Sequence, residues 1–498
     1  MKKCVQLCAA ALCLCAALPV LPVRAEASAF PTSSEALTLP VRHAFFADER
    51  SAYSAAIAAK PSELPEEIAA LSYDEQAAYR QTLPVQSNEI KNWPAGPLLG
   101  CEAAILMEAD TGAVLYAKNI HEQLYPASTT KLLTCLIAAE NGRDIRATVP
   151  FSYDAVFSVP SDGSKMGIDP GEALTLEQCL YGIMVGSANE VANAVAEYTA
   201  GDMEAFAEMM NEKAASLGCT DSHFVNANGL FDEAHYTSAY DLALIARAFF
   251  KNELLCRIAN TPRYHFTPTE TQPDDFYLVN KHKLVNGEIS FSGVVGGKTG
   301  YTSQARETLV TCAERDGMRL ICVVLKEESP AQFTDTVALF TYGFQNFRME
   351  TPAETETRYA LPEADFFKSE RDIFGSMGEL LSIDPKAKIL LPNTIDLKDA
   401  DAALAYENAD ESHAADIIYS YHDVFLGSAA LTYTLSGTVP LQNAAVFINV
   451  PFFLLNALCA AGIVTLLALL WEAFHSYSFI RLRNVWKGRL SGKRRGKR

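Results

Sequence analysis

Ser128 and Lys131, three residues apart in "PASTTKLLT", are the first pair in this chain whose types and spacing suit nucleophilic chemistry. A free serine hydroxyl is a poor nucleophile and needs a base. If "STTKLL" opens a helix, positions i and i+3 share a face, and the amine reaches the hydroxyl. The amine serves as base only when its pKa falls, which burial and a cationic neighbour favour. The helix N-terminus adds N–H groups and a positive dipole end near the reacting oxygen. Alone, the spacing fits an ordinary helix start equally well, because serine and threonine are common caps.

Two further pieces bear on the choice. "SAN", Ser187 to Asn189, lies 59 residues downstream in a break between two helical patterns. A Ser-x-Asn there projects polar groups into a cleft, or simply caps a helix. "KTG", Lys298 to Gly300, follows Gly296 and Gly297 in a strand-like stretch. Lys298 suits a carboxylate, and Gly300 lets a second backbone approach the strand closely. Asp232 and His235 in "NANGLFDEAH" invite a Ser-His-Asp reading. No G-x-S-x-G elbow accompanies them, so a turn at Asn228-Gly229 and a packed His235 are expected instead. H-E-x-x-H and C-x-x-C metal patterns are absent from the exported body, and no metal or cofactor is expected.

The elements that must carry these groups follow from periodicity. "CEAAILMEADTGAVLYAKN" reads as a hairpin and "STTKLLTCLIAAENG" as a buried helix stopped at N-G. "LTLEQCLYGIMVGSANEVANAVAEYTAG" reads as two helices broken at "GSAN". Amphipathic helices follow at "MEAFAEMMNEKAASLG" and "SAYDLALIARAFFKN". "GVVGGKTGYT", "ETLVTCAERDG" and "MRLICVVLKE" are strand-like, the last two joined by a D-G turn, and "FTDTVALFTYGFQNF" is helical. Strands at both ends with helices between predict one α+β domain over residues 93–348. Short strand-like runs ("AKILLP", "DIIYSYH", "AALTYTL") predict a small β-rich domain over 349–440, and residues 26–92 read as a loosely ordered extension.

The chain ends carry their own signals. Residues 1–25 have the charge, apolar stretch and small-residue cleavage pattern of an export signal. Residues 444–471 hold 28 residues without a charge, long enough for a transmembrane helix. The tail, 472–498, carries nine Lys or Arg after Phe479, which the positive-inside rule places in the cytoplasm. The chain has 498 residues, with 41 basic against 60 acidic. Setting aside three basic residues in the leader and the nine after Phe479 leaves residues 26–480 with 29 basic against all 60 acidic, so the exported body is strongly acidic. That balance argues against nucleic acid as a partner. Seven of the 12 cysteines lie in the body at wide spacings. Buried free thiols are expected, with a disulfide left open.

The order S-x-x-K, S-x-N, K-T-G resembles the penicillin-recognising serine enzymes. "YPASTTKLLT", "SANEVANAVAEY", "FVNANGLFDEAHYTSAYDLALIA" and "GGKTGYT" are similar to the low-molecular-weight D-alanyl-D-alanine carboxypeptidases, peptidase family S11. The resemblance implies a penicillin-binding/β-lactamase-like domain, an antiparallel sheet with helices, followed by the β domain and membrane helix. It implies removal of the terminal D-alanine from peptidoglycan stem pentapeptides, with β-lactams as covalent inhibitors. In that scheme Ser128 attacks and Lys131 takes its proton. Ser187 relays a proton to the leaving D-alanine, and Asn189 holds the substrate amide and the lysine. Lys298 and Thr299 grip the terminal carboxylate and polarise the Ser187 hydroxyl, Gly300 admits the substrate backbone, and the N–H groups of Ser128 and Tyr301 form the oxyanion hole. The implied place is the bacterial cell membrane, single-pass, with catalysis outside. A β-lactamase, or a weakly catalytic penicillin-binding sensor or wall-anchoring protein, are the alternatives. Two departures stand out: "SAN" replaces the commoner Ser-Gly-Asn, and Arg306 sits in "TSQARETLV" where the family usually has glycine.

Overall fold

The computed structural model describes residues 66–142, 144–359, 381–406, 413–433 and 460–476, with 481 and 483. A five-stranded antiparallel sheet organises the larger unit. Its strands are β1 (Ala103–Glu108), β2 (Val114–Lys118), β3 (Val294–Thr302), β4 (Arg306–Arg315) and β5 (Met318–Glu327), in the order β2-β1-β5-β4-β3. The hairpin of "CEAAILMEADTGAVLYAKN" is β1–β2, and the D-G turn joins β4 to β5.

Both faces of this sheet are covered, which is why β1 and β5 read as unbroken apolar runs. Alternate residues serve opposite clusters, as the two-residue period of a strand requires. Ala103, Ile105 and Met107, with Ile321, Val323 and Leu325, pack under α1 (Lys131–Asn141), α2 (Asn189–Ala200), α3 (Met203–Ser216) and α4 (Ala239–Phe250). Ala104 and Leu106, with Leu320, Cys322 and Val324, face Leu339 and Phe340 of α5 (Ala331–Asn346). β3 is an edge strand, so one of its sides is left for the serine-bearing turn.

The second cluster also takes in chain that the sequence treats separately. A four-stranded antiparallel sheet contains Leu381–Ile383, Val424–Tyr433, His413–Tyr421 and Asp401–Ala405 in that order. Its buried Ile417, Tyr419 and Leu426 join Ile389–Leu391, Trp93 and Leu115 in one core. The β-rich region therefore shares its apolar interior with the back of the main sheet.

Residues 66–92 correct the expectation of a loosely ordered extension. A helix over Tyr73–Arg80 starts with a capping box between Ser72 and Glu75. Its last residue, Arg80, is buried: Nε donates to Gly100 O at 2.7 Å, and its carbonyl accepts Lys118 Nζ at 3.0 Å. Polar residues made the segment look loose; these are the residues that fasten it. Residues 26–65 and the leader lie outside the described residues.

The second unit, 435–498, contains a helix over residues 460–476 whose Ile463, Leu466, Leu467 and Leu470 are exposed. Residues 444–459 of the expected membrane span lie outside the described residues, and no helix among those described is long and apolar enough to cross a membrane. All seven body cysteines are free thiols.

Candidate active site

Ser128 sits in a single 3-10 turn, Ala127–Thr130, that runs directly into α1 at Lys131. In a 3-10 turn residues i and i+3 eclipse, and Lys131 Nζ lies 2.9 Å from Ser128 Oγ. Lys131 is fully buried, yet its amine is met by Asn189 Oδ1 at 2.7 Å and Asn228 O at 2.5 Å. Burial holds this amine well below the usual lysine range, and the Lys298 cation adds to the effect. In the neutral form two N–H bonds go to Asn189 and Asn228. The lone pair is then left for the Ser128 hydroxyl.

Ser187 reaches the same cleft through a backbone irregularity. The helix Leu176–Tyr181 widens into a π turn over Gly182–Gly186, and Ser187 closes it in the left-handed region at φ 59°. That is the physical content of the break at "GSAN"; π turns recur at functional sites. Ser187 Oγ stands 3.1 Å from Lys298 Nζ, which also donates to Thr299 O at 2.7 Å. Lys298 is buried on β3, and burial with the nearby Lys281 cation brings it down to about 7. Behind the site, Glu190 Oε1 accepts the Met166 and Gly167 N–H groups, and Ser164 O accepts the Asn189 N–H at 2.9 Å. Lys281 Nζ bonds Ser164 Oγ at 2.8 Å, which ties that loop to the cleft rim.

Gly300 is needed for close approach. A Cβ there would lie 2.8 Å from Ser128 N and 2.4 Å from Thr308 Oγ1, so β3 passes directly beneath the nucleophile's backbone. Thr308 Oγ1 in turn donates to Pro126 O at 2.9 Å. Tyr301, next along β3, is half exposed at the mouth. Gly229 takes φ +80°, and a Cβ there would meet Ala127 O at 1.9 Å. His235 is buried, accepts Val225 N–H at Nδ1 and sits 2.8 Å from Thr130 Oγ1 through Nε2. The proton is therefore on Nε2. Burial lowers this imidazole to about 4, and it braces the serine turn rather than reaching Ser128.

Five of the eight predicted site residues, Ser128, Lys131, Ser187, Asn189 and Lys298, are thus linked by direct side-chain bonds in two groups. Thr299, Gly300 and Tyr301 line the strand beside them. Sequence reasoning missed Asn228 as a ligand of Lys131, because its backbone carbonyl does the work. It also missed Asn193, whose Oδ1 accepts Asn228 Nδ2 at 2.8 Å. The "NANG" turn was the available signal for the first; no spacing signal marks the second.

A buried lysine against a serine, with a second Ser–Lys pair close enough for its cation to act on the first lysine, defines a serine acyl-transfer enzyme of the penicillin-binding class. Residues 91–329 match the family described as D-alanyl-D-alanine carboxypeptidase. A D-alanyl-D-alanine carboxypeptidase of Bacillus subtilis is 37% identical over 234 residues, covering 46% of this chain and 58% of that protein. One from Mycobacterium tuberculosis is 32% identical over 257 residues, covering 50% of this chain and 84% of that protein. A solved D-alanyl-D-alanine carboxypeptidase of Francisella tularensis aligns with a TM-score of 0.52 at 21% identity, over 68% of this chain and 94% of the other, and shows the shared fold. The chain belongs to the D-alanyl-D-alanine carboxypeptidase family, peptidase family S11, and is a serine-type enzyme of that class.

Proposed function

We propose that this protein removes the terminal D-alanine from peptidoglycan stem pentapeptides through an acyl-enzyme on Ser128. The observation that carries the reading is the Lys131 amine, buried, lowered in pKa and 2.9 Å from Ser128 Oγ. Ser128 attacks the carbonyl between the two D-alanines as Lys131 takes the hydroxyl proton. The N–H groups of Ser128 and Tyr301 receive the negative oxygen, a contribution often worth several kcal/mol. Ser187 passes a proton to the departing amine, while Lys298 and Thr299 hold the terminal carboxylate. That carboxylate would stabilise the charged form of Lys298, whose pKa of about 7 leaves it readily switched. Water then attacks the ester and releases the shortened peptide. A β-lactam acylates the same oxygen.

The setting is part of the proposal. Residues 1–25 direct export, 444–471 form a single membrane span and the basic tail, 472–498, stays in the cytoplasm. The exposed apolar side chains on the helix over 460–476 support a lipid-facing anchor. The catalytic part then faces the wall from the outer side of the cell membrane.

The test uses the full chain in detergent, a peptide ending in D-Ala-D-Ala and an assay for free D-alanine, with Ser128→Ala alongside. Serine-dependent release is expected. Release that persists in Ser128→Ala overturns the mechanism. Rapid penicillin hydrolysis without D-alanine release assigns a β-lactamase. Stable penicillin acylation alone assigns a binding protein without turnover.

A further inference from the structure

Arg306 occupies the start of β4, opposite Thr302, with its backbone in the left-handed region at φ 54°. Its guanidinium does not point free into the cleft. Nε and Nη2 chelate Glu328 at 3.0 and 2.6 Å, and Nη1 lies 3.4 Å from Tyr301 Oη. The ring of Tyr73 covers its face, 3.7 Å from the guanidinium carbon. Its charge is already matched by Glu328, so Arg306 is a poor receptor for a substrate carboxylate and a good structural hub.

Tyr73 comes from outside the catalytic region: it precedes residue 91, where the family match begins. It is the first residue of the capped helix Tyr73–Arg80, whose other end is buried through Arg80. Tyr73 is itself about half exposed, so the core does not depend on it. Tyr301 follows Gly300, which lies directly under Ser128 N. The chain of contacts therefore runs from the N-terminal helix to the strand end beside the nucleophile.

We propose that Tyr73 is a positioning residue for acylation: by capping Arg306 it locks the guanidinium onto Glu328 and Tyr301 and fixes the end of β3 beside Ser128. The inference rests on the carboxypeptidase reading only for the role of the Tyr301 N–H. The N-terminal helix is then a brace for the site.

The experiment compares the full chain with Tyr73→Ala and Tyr73→Phe, each also in an Arg306→Ala background. Two readouts are taken: the rate of acylation by a fluorescent penicillin, and hydrogen exchange at the amides of residues 299–307. Tyr73→Ala should slow acylation by about threefold to thirtyfold, the range of a cation–π contact, and speed exchange in that segment. Tyr73→Phe should stay within about twofold of the parent, since the ring face is kept. In the Arg306→Ala background, Tyr73→Ala should add nothing. Unchanged exchange in Tyr73→Ala overturns the brace, whether or not the protein reacts with penicillin. Faster exchange with unchanged acylation overturns the positioning role. An equal further loss in the Arg306→Ala background shows that Tyr73 acts elsewhere. A parent protein that fails to react with penicillin refutes the enzymatic reading and, with it, the acylation role; the exchange arm then tests the brace alone.

Discussion

Gly229→Ala tests how tightly the "NANG" turn sets the nucleophile. The new Cβ would lie 1.9 Å from the Ala127 carbonyl oxygen, and 2.5 Å from its carbon. Real contacts of this kind essentially never fall below 3.0 Å, so the two backbones must part by roughly 1 Å. Ala127 immediately precedes Ser128 and is itself held at φ 49°, so the serine turn takes much of that shift. A misplacement of about 1 Å at a reacting group costs on the order of 100-fold in rate. The left-handed backbone, φ +80°, adds about 1–2 kcal/mol of strain for any residue with a Cβ. The assay is stopped-flow acylation by a fluorescent penicillin, with thermal unfolding alongside. Gly287→Ala is the matched control: φ is +89° and nothing lies within 4 Å, so it carries strain without collision. We expect a loss of about 100-fold for Gly229→Ala and an unchanged rate for Gly287→Ala. A folded Gly229→Ala protein that acylates within threefold of the parent would refute the claim that this turn places the serine.

Three further outcomes follow from the same geometry. Lys131→Ala should lower penicillin acylation by about 10²–10⁴-fold, the usual share of a general base, with the fold preserved by circular dichroism. The pH dependence of kcat/KM should rise as Lys131 loses its proton, at a pH well below the ordinary lysine range, and fall as Lys298 loses its own near 7 in the free enzyme. Lys298→Arg should remove the alkaline limb, because guanidinium stays charged; a limb that survives unchanged assigns it to another group. Glu327 faces Asp335, with Cys101 Sγ and the carboxylate oxygens within 4.8 Å of one another, and burial with the shared hydrogen bond raises the Glu327 carboxyl. The folded state then keeps a proton that the unfolded chain releases near pH 4.3. Stability should fall as pH rises from that value through the raised one, and Glu327→Gln should flatten the slope of thermal midpoint against pH.

Much of the site was legible because its chemistry sits in short linear patterns. Ser128 and Lys131 meet through one helical turn, and Lys298 to Tyr301 through one strand. The pairing of those patterns was not legible from spacing alone. Ser187 meets Lys298 across 111 residues, and Lys131 meets Asn228 across 97. Only the resemblance supplied the first, and nothing supplied the second, since a backbone carbonyl carries no residue signature. In the fold, the strand runs of β1 and β5 were plain because both faces are apolar. The firm attachment of the helix Tyr73–Arg80 was not legible because its anchor is a buried arginine, and burial of arginine is rare unless partners wait for it.

Arg306 shows why a departure from pattern can be more informative than a match. The family's usual glycine fits a position whose backbone is left-handed, φ 54° here. An arginine there bears about 1–2 kcal/mol of backbone strain. The bidentate chelate with Glu328, largely shielded from solvent, offsets on the order of 1 kcal/mol of it. The Tyr73 contact, at about 0.5–2 kcal/mol, supplies the remainder. The strained arginine and the N-terminal helix are therefore two halves of one arrangement. Arg306→Gly should relax the backbone while freeing Tyr73, leaving stability within about 1 kcal/mol of the parent. A loss well beyond that would mean the chelate outweighs the strain, and the helix would then be ballast on a contact already secure.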